Sequence, residues 1–96
     1  HLSEDGIMIV VMTLERHSNV VLAGPDIVSR GFVYVRESED LMEDAKEVVE
    51  NALDSCLERN ITDWGKIKNT VKDALSDFLW KRTKRSPMIL PIIMEA

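Results

Sequence analysis

Residues 6–14 (GIMIVVMTL) form a nearly unbroken apolar run rich in Ile and Val. The run is short for a buried helix, and its β-branched side chains suit a pleated strand. The lack of apolar–polar alternation predicts burial on both faces. Glu15-Arg16-His17-Ser18-Asn19 is polar, and Val20-Val21-Leu22-Ala23 resumes the apolar pattern, which reads as a β-hairpin with a loop of about five residues. Gly24-Pro25-Asp26 is expected to end the second strand, because proline lacks the N–H that a ladder needs. Between Asp26 and Arg36 two readings stay open. Phe32-Val33-Tyr34-Val35 forms either a short third strand or an extended connection.

Two amphipathic helices follow. Ser38 is a good N-cap, and Glu39, Asp40, Glu43 and Asp44 place negative charge at the positive end of the helix dipole. Leu41, Ala45, Val48, Ala52 and Cys56 recur at three- and four-residue steps, with Met42, Val49, Leu53 and Leu57 beside them, so this helix should end near Arg59-Asn60. Thr62 or Asp63 caps a second helix whose apolar face is Trp64, Ile67, Val71, Ala74, Leu75, Phe78 and Leu79, running to about Arg82. Pro87 to Met94 reads as a last strand, with Pro91 confining it to a sheet edge or a bulge. The expected fold is α+β: a small three- to four-stranded sheet with two α-helices packed on one face.

The 96 residues suffice for one domain. Residues 6–96 are read as that domain, and 1–5 as an N-terminal tail or cloning remnant. Cys56 is the single cysteine, so no internal disulfide can form, and its place on the helical stripe makes it core rather than a nucleophile. No apolar run approaches the ~20 residues that cross a bilayer, so no membrane is expected and the cytoplasm is the expected compartment. The net charge of −5 argues against a dedicated nucleic-acid binder. It hides a split, however. Glu37 to Asp63 holds ten acidic and two basic residues, whereas Lys66 to Arg85 holds seven basic and two acidic.

Three stretches taken together, LAGPDIVSRGFVYVRESEDL at Leu22–Leu41, TDWGKIK at Thr62–Lys68 and KRTKRSPMILPIIMEA at Lys81–Ala96, resemble the carboxy-terminal domain of the bacterial ribonuclease J family. The resemblance runs from about Asp5 to the end of the chain. Ribonuclease J enzymes join a metallo-β-lactamase domain, an inserted β-CASP domain and this small domain. The resemblance implies a parent hydrolase that uses zinc or another divalent metal and acts on RNA as a 5′-to-3′ exonuclease and endonuclease in RNA processing and decay. The family's metal motif, His-x-His-x-Asp-His, has no counterpart here, since the only histidines are His1 and His17. A two-metal hydrolase needs convergent imidazoles and carboxylates. No catalytic or metal-binding residue is therefore assigned to this chain, and the fragment is not expected to be an enzyme.

Four features remain as candidates. The basic run Lys81, Arg82, Lys84 and Arg85 could contact RNA phosphates or an acidic partner, or could simply complement the dipole at a helix C-terminus. The acidic face Glu43, Glu47, Glu50, Asp54 and Glu58 reads as solvated, and Ser29-Arg30-Gly31-Phe32 as a turn delivering Phe32 and Tyr34 into packing. Trp64 is expected in the core and Trp80 partly exposed or at an interface. Met88, Ile89, Leu90, Ile92, Ile93 and Met94 supply more apolar surface than one face of a small sheet needs, so this edge is a candidate interface. The leading reading is an accessory domain that self-associates or docks on the catalytic domains of its own chain, in a homo-oligomer or with a paralogue, meeting RNA through the parent enzyme. The alternative is a direct RNA-binding module using the basic end of the second helix.

Overall fold

A computed structural model describes residues 5–32 and 38–96, with side chains from Asp40 onward in the second segment. The elements run β1 (Ile7–Leu14), β2 (Val21–Arg30), α1 (Ser38–Glu58), α2 (Trp64–Thr83) and β3 (Met88–Glu95). The strands form one sheet in the order β2-β1-β3. The first strand takes the centre, antiparallel to β2 and parallel to β3. Both helices lie on one face, giving the expected α+β architecture. The possible strand over Phe32–Val35 falls mainly on residues 33–37, and the Ser38 capping side chain likewise lies outside the described residues.

The central strand alternates strictly. Met8, Val10, Met12 and Leu14 are fully buried, whereas Ile7, Ile9, Val11 and Thr13 are only half-buried. The expected two-sided burial is therefore half met: a single helical layer covers a single face. Under that layer, Leu41, Ala45, Val49, Leu53 and Cys56 of α1 meet Ile67, Val71, Leu75 and Leu79 of α2. Four-residue steps keep these side chains on one line of each helix. Val48, read as part of the inner stripe, sits at its margin.

Gly24-Pro25 does not end the second strand. β2 passes through it with a cis Gly24–Pro25 peptide, and the pairing slips, Val11 facing Asp26 and Thr13 facing Ala23. An edge strand tolerates this because an irregularity there interrupts only one ladder. Pro91 also stands on an edge strand, as expected.

The hairpin turn is held by one carboxylate. Glu15 accepts hydrogen bonds from the backbone N–H groups of His17 and Ser18 and from the Ser18 hydroxyl, the latter two at 3.0 Å. These donors, the His17 N–H foremost, hold the Glu15 carboxyl below its ordinary pKa. A carboxyl whose folded pKa is depressed supports the fold above its unfolded pKa and loses that support as pH falls through the folded value. The amide resonances of His17 and Ser18 should accordingly move together on acidification, with a midpoint below that of a glutamate in an unstructured peptide. A midpoint equal to or above that of the unstructured glutamate would remove the carboxylate from the turn.

The second helix is closed at both ends. Asp63 accepts from the Gly65 N–H at 2.9 Å, and Lys84 takes the left-handed conformation (φ 59°) with its N–H donating to the Trp80 carbonyl. Trp64 at its start donates Nε1–H to Asn19 Oδ1 at 3.3 Å, tying the helix to the hairpin.

Candidate functional site

With the helices on one side, no described element covers the other face of the sheet. The register lines up its side chains in rows: Arg30–Ile7–Met88, Val28–Ile9–Leu90, Asp26–Val11–Ile92 and Ala23–Thr13–Met94. Val28, Leu90, Ile92 and Met94 are 41–54% exposed. The result is an apolar field over β1 and β3, bordered by Asp26 and Arg30 on β2. Val20 and Leu22 add exposed apolar surface at the hairpin end.

This arrangement divides the apolar segment named from sequence. Ile89 is buried in the core and Ile93 packs partly against it, because both share the covered face with Met8 and Met12. Met88, Leu90, Ile92 and Met94 point the other way. Sequence reasoning missed the contribution of Ile7, Ile9, Val11 and Val28. Its only trace was that apolar Ile7, Ile9 and Val11, rather than polar residues, alternate with the buried positions of β1.

The basic helix end looks different in three dimensions. Lys81 Nζ lies 2.9 Å from Asp77, Arg82 Nη1 lies 2.9 Å from Asp44 on α1, and Arg85 Nη1 lies 3.7 Å from Asp5. Lys84 Nζ sits over the Trp80 ring, 5.4 Å from its centroid, and Arg82 over Phe78 at 5.7 Å. All four cations thus meet a carboxylate or a ring of their own chain. Phosphate binding would have to compete with these contacts. Asp5, read as part of a tail, also accepts from the Ser86 N–H at 2.7 Å and joins the entry of β1 to the approach to β3.

Glu43, Glu47, Glu50, Asp54 and Glu58 are exposed on α1. Gly31 and Gly6 cross closely, and the backbone that approaches Gly31 is that of the chain itself. Phe32 beyond it packs on the core, while Tyr34 lies outside the described residues. Trp64 is partly buried and Trp80 is 50% exposed. His17 stands exposed in the hairpin turn. Among the described residues no three His, Cys, Asp or Glu side chains converge as a group that could hold a metal ion. No described helix is long and apolar enough to cross a membrane.

Fold and surface together define a small α+β module with a helix-covered core, an open apolar sheet face and no assembled metal-binding group among its described residues. Comparison with known proteins gives it a family. The chain belongs to the ribonuclease J C-terminal domain family, whose model matches residues 1–96. It is 49% identical over 94 residues to Ribonuclease J2 of Bacillus subtilis (strain 168), an alignment covering 98% of this chain and 17% of that protein. Against Ribonuclease J 2 of Staphylococcus aureus (strain NCTC 8325 / PS 47) the identity is 48% over the same length and shares. The chain therefore spans about a sixth of the length of these relatives.

Proposed function

We propose that this chain is the non-catalytic C-terminal domain of a cytoplasmic ribonuclease J-type enzyme of RNA processing and decay, and that its open sheet face seats it within the assembled enzyme. In this reading the hydrolytic centre, with zinc or another divalent metal, belongs to the metallo-β-lactamase and β-CASP domains of the parent. RNA is then met through those domains. The observation that carries the proposal is the apolar field of exposed Leu90, Ile92 and Met94 beside half-buried Ile7, Ile9 and Val11, over which no described element packs. Contiguous exposed apolar surface of this kind marks an interaction site.

The size of the face bears on what covers it. Strands of eight to ten residues at a rise of ~3.3 Å, three abreast at a spacing of ~4.8 Å, give a flat footprint on the order of 400 Å². One side of a stable two-protein interface is about 800 Å². A contact between domains of one chain is commonly smaller. The face is thus adequate for docking on the parent's other domains. A dimer or a pairing with a paralogue needs further surface, and the isolated 96 residues should self-associate only weakly. The alternative of direct RNA binding is less well supported, because Lys81, Arg82, Lys84 and Arg85 are engaged within the chain.

The test is Leu90→Lys with Ile92→Lys in the full-length enzyme. Both positions are 42% exposed, so the domain's own stability should change by less than ~1 kcal/mol. The domain should become accessible to protease, or the enzyme should sediment as a smaller species. Unchanged sedimentation and unchanged protection with both lysines present would sink the proposal.

A further inference from the structure

The main-chain edge of β3 is a feature separate from the sheet's face. The strand reads Met88-Ile89-Leu90-Pro91-Ile92-Ile93-Met94, six apolar residues around one proline with no charge before Glu95. A segment of high β propensity and low charge at a sheet edge readily pairs with strands of other molecules. Proteins guard such an edge with a short strand, a lysine, a bulge or a proline. β3 is eight residues long, carries no lysine or arginine, and keeps an unbroken register with β1 from Met88 to Glu95. Of these devices it has only the proline.

The ladder shows which way that proline points. The Met88 N–H donates to the Gly6 carbonyl at 2.9 Å and the Ala96 N–H to the Leu14 carbonyl at 3.1 Å, one bond at each end of β3. No slip intervenes, so alternate residues share this direction, and positions 88, 90, 92, 94 and 96 turn their N–H toward β1. Positions 89, 91, 93 and 95 turn theirs away. Pro91 therefore removes no bond from the sheet, and the donor it lacks is one that would have faced outward. Among the described residues no strand pairs with this edge. Ile89 is only 4% exposed, so the accessible part begins at residue 91. There the proline ring carbon stands where the amide hydrogen would be, in the path of an incoming carbonyl. Ile93 and Glu95 are the donors left beyond it, and the Glu95 side chain is tied to Arg16 at 3.1 Å. The opposite edge, β2, is interrupted by other means. Its register slips between Val11 and Thr13, Pro25 offers no N–H, and Arg30 Nη1 donates to the Ser29 carbonyl at 3.3 Å.

We infer that Pro91 is the residue that prevents β3 from pairing, edge to edge, with β3 of a second copy of this chain. It blocks the main-chain row from residue 91 to Glu95 while leaving the ladder to β1 whole. Leu90, Ile92 and Met94 are thereby left to act through the face of the sheet and not through its edge. The inference concerns main-chain pairing and does not depend on the docking role of that face, so either can fail without the other.

Pro91→Val restores the outward N–H and keeps a residue suited to a strand. Two measurements on the 96-residue chain test the inference. In the dilute wild type, the Leu90 and Ile92 amides should exchange with deuterium at least tenfold more slowly than the Ile93 amide, because only the first two are bonded to β1. In sedimentation across a concentration series, Pro91→Val should associate at a concentration at least tenfold below that of the wild type. The amides of residue 91 and Ile93 should become protected in the associated species. The inference is overturned by an Ile93 amide as protected as its neighbours in the dilute wild type, or by a variant that stays as monomeric as the wild type. Association that leaves Ile93 unprotected would overturn it as well, as would a variant that no longer unfolds cooperatively, since the proline would then be a requirement of the fold.

Discussion

Gly6→Ala is expected to cost about 3 kcal/mol or more, a large part of the 5–15 kcal/mol that holds a typical domain. Gly6 has φ +89°, and an added Cβ would press on the Gly31 carbonyl carbon, with Phe32 N at 2.5 Å and Arg30 O at 2.6 Å. All three neighbours are backbone, so no side-chain rotation relieves the clash. The crossing also positions the Gly6 carbonyl, which accepts from the Met88 N–H at 2.9 Å where β3 joins the sheet. Gly31→Ala is the internal control. Its φ is +70°, but among the described residues its Cβ would meet only Gly6 Cα, at an ordinary 3.5 Å, so the loss should be near 1 kcal/mol. Urea denaturation of both variants checks the contrast, and equal losses would refute the steric account.

Leu75→Ala should destabilise by 2–5 kcal/mol, with a slope in denaturant close to that of the wild type. Leu75 is wholly buried on α2, in the cluster with Leu41, Val49, Leu53 and the inward side chains of β1. The deletion leaves a cavity under a layer fixed on three sides by the sheet and α1. Leu90→Ala, the same chemical change on the open face at 42% exposure, should lose less than ~1 kcal/mol in the isolated chain. A similar loss at both positions would mean that the open face is covered in the isolated chain.

Much of this fold is legible in the residues. The helices follow from apolar residues at three- and four-residue steps, and a cap at Thr62 or Asp63 from their place before Trp64, with the Gly65 N–H choosing Asp63. Pro91 placed the last strand at an edge for a reason the sheet order bears out: the ring removes a donor. Gly24-Pro25 misled because the same residues that make a turn also make a bulge, and only the partner strand decides between them. The parallel pairing of β1 with β3 left no local mark. Neither did the carboxylates opposite the basic run, since Asp44 and Asp5 arrive from other elements. The open face was hidden in a different way. An unbroken apolar strand reads the same whether its second face meets a layer of this chain or none, so sequence located the last strand's apolar excess without the half contributed by β1.

The position of β1 also governs the order in which the domain can be completed. Its contacts with β2 lie across a tight turn, and such hairpins form in about 1–10 μs. Its contacts with β3 join residues about 80 positions apart, and closing so long a loop is slow. Until it closes, β1 presents a free hydrogen-bonding edge flanked by apolar side chains on both sides, the geometry that recruits strands from other molecules. A nascent or partly unfolded chain is therefore most prone to aggregation in the interval before β3 arrives, whereas in the finished fold Asp5 ties the start of β1 to Ser86 and Arg85 ahead of that strand.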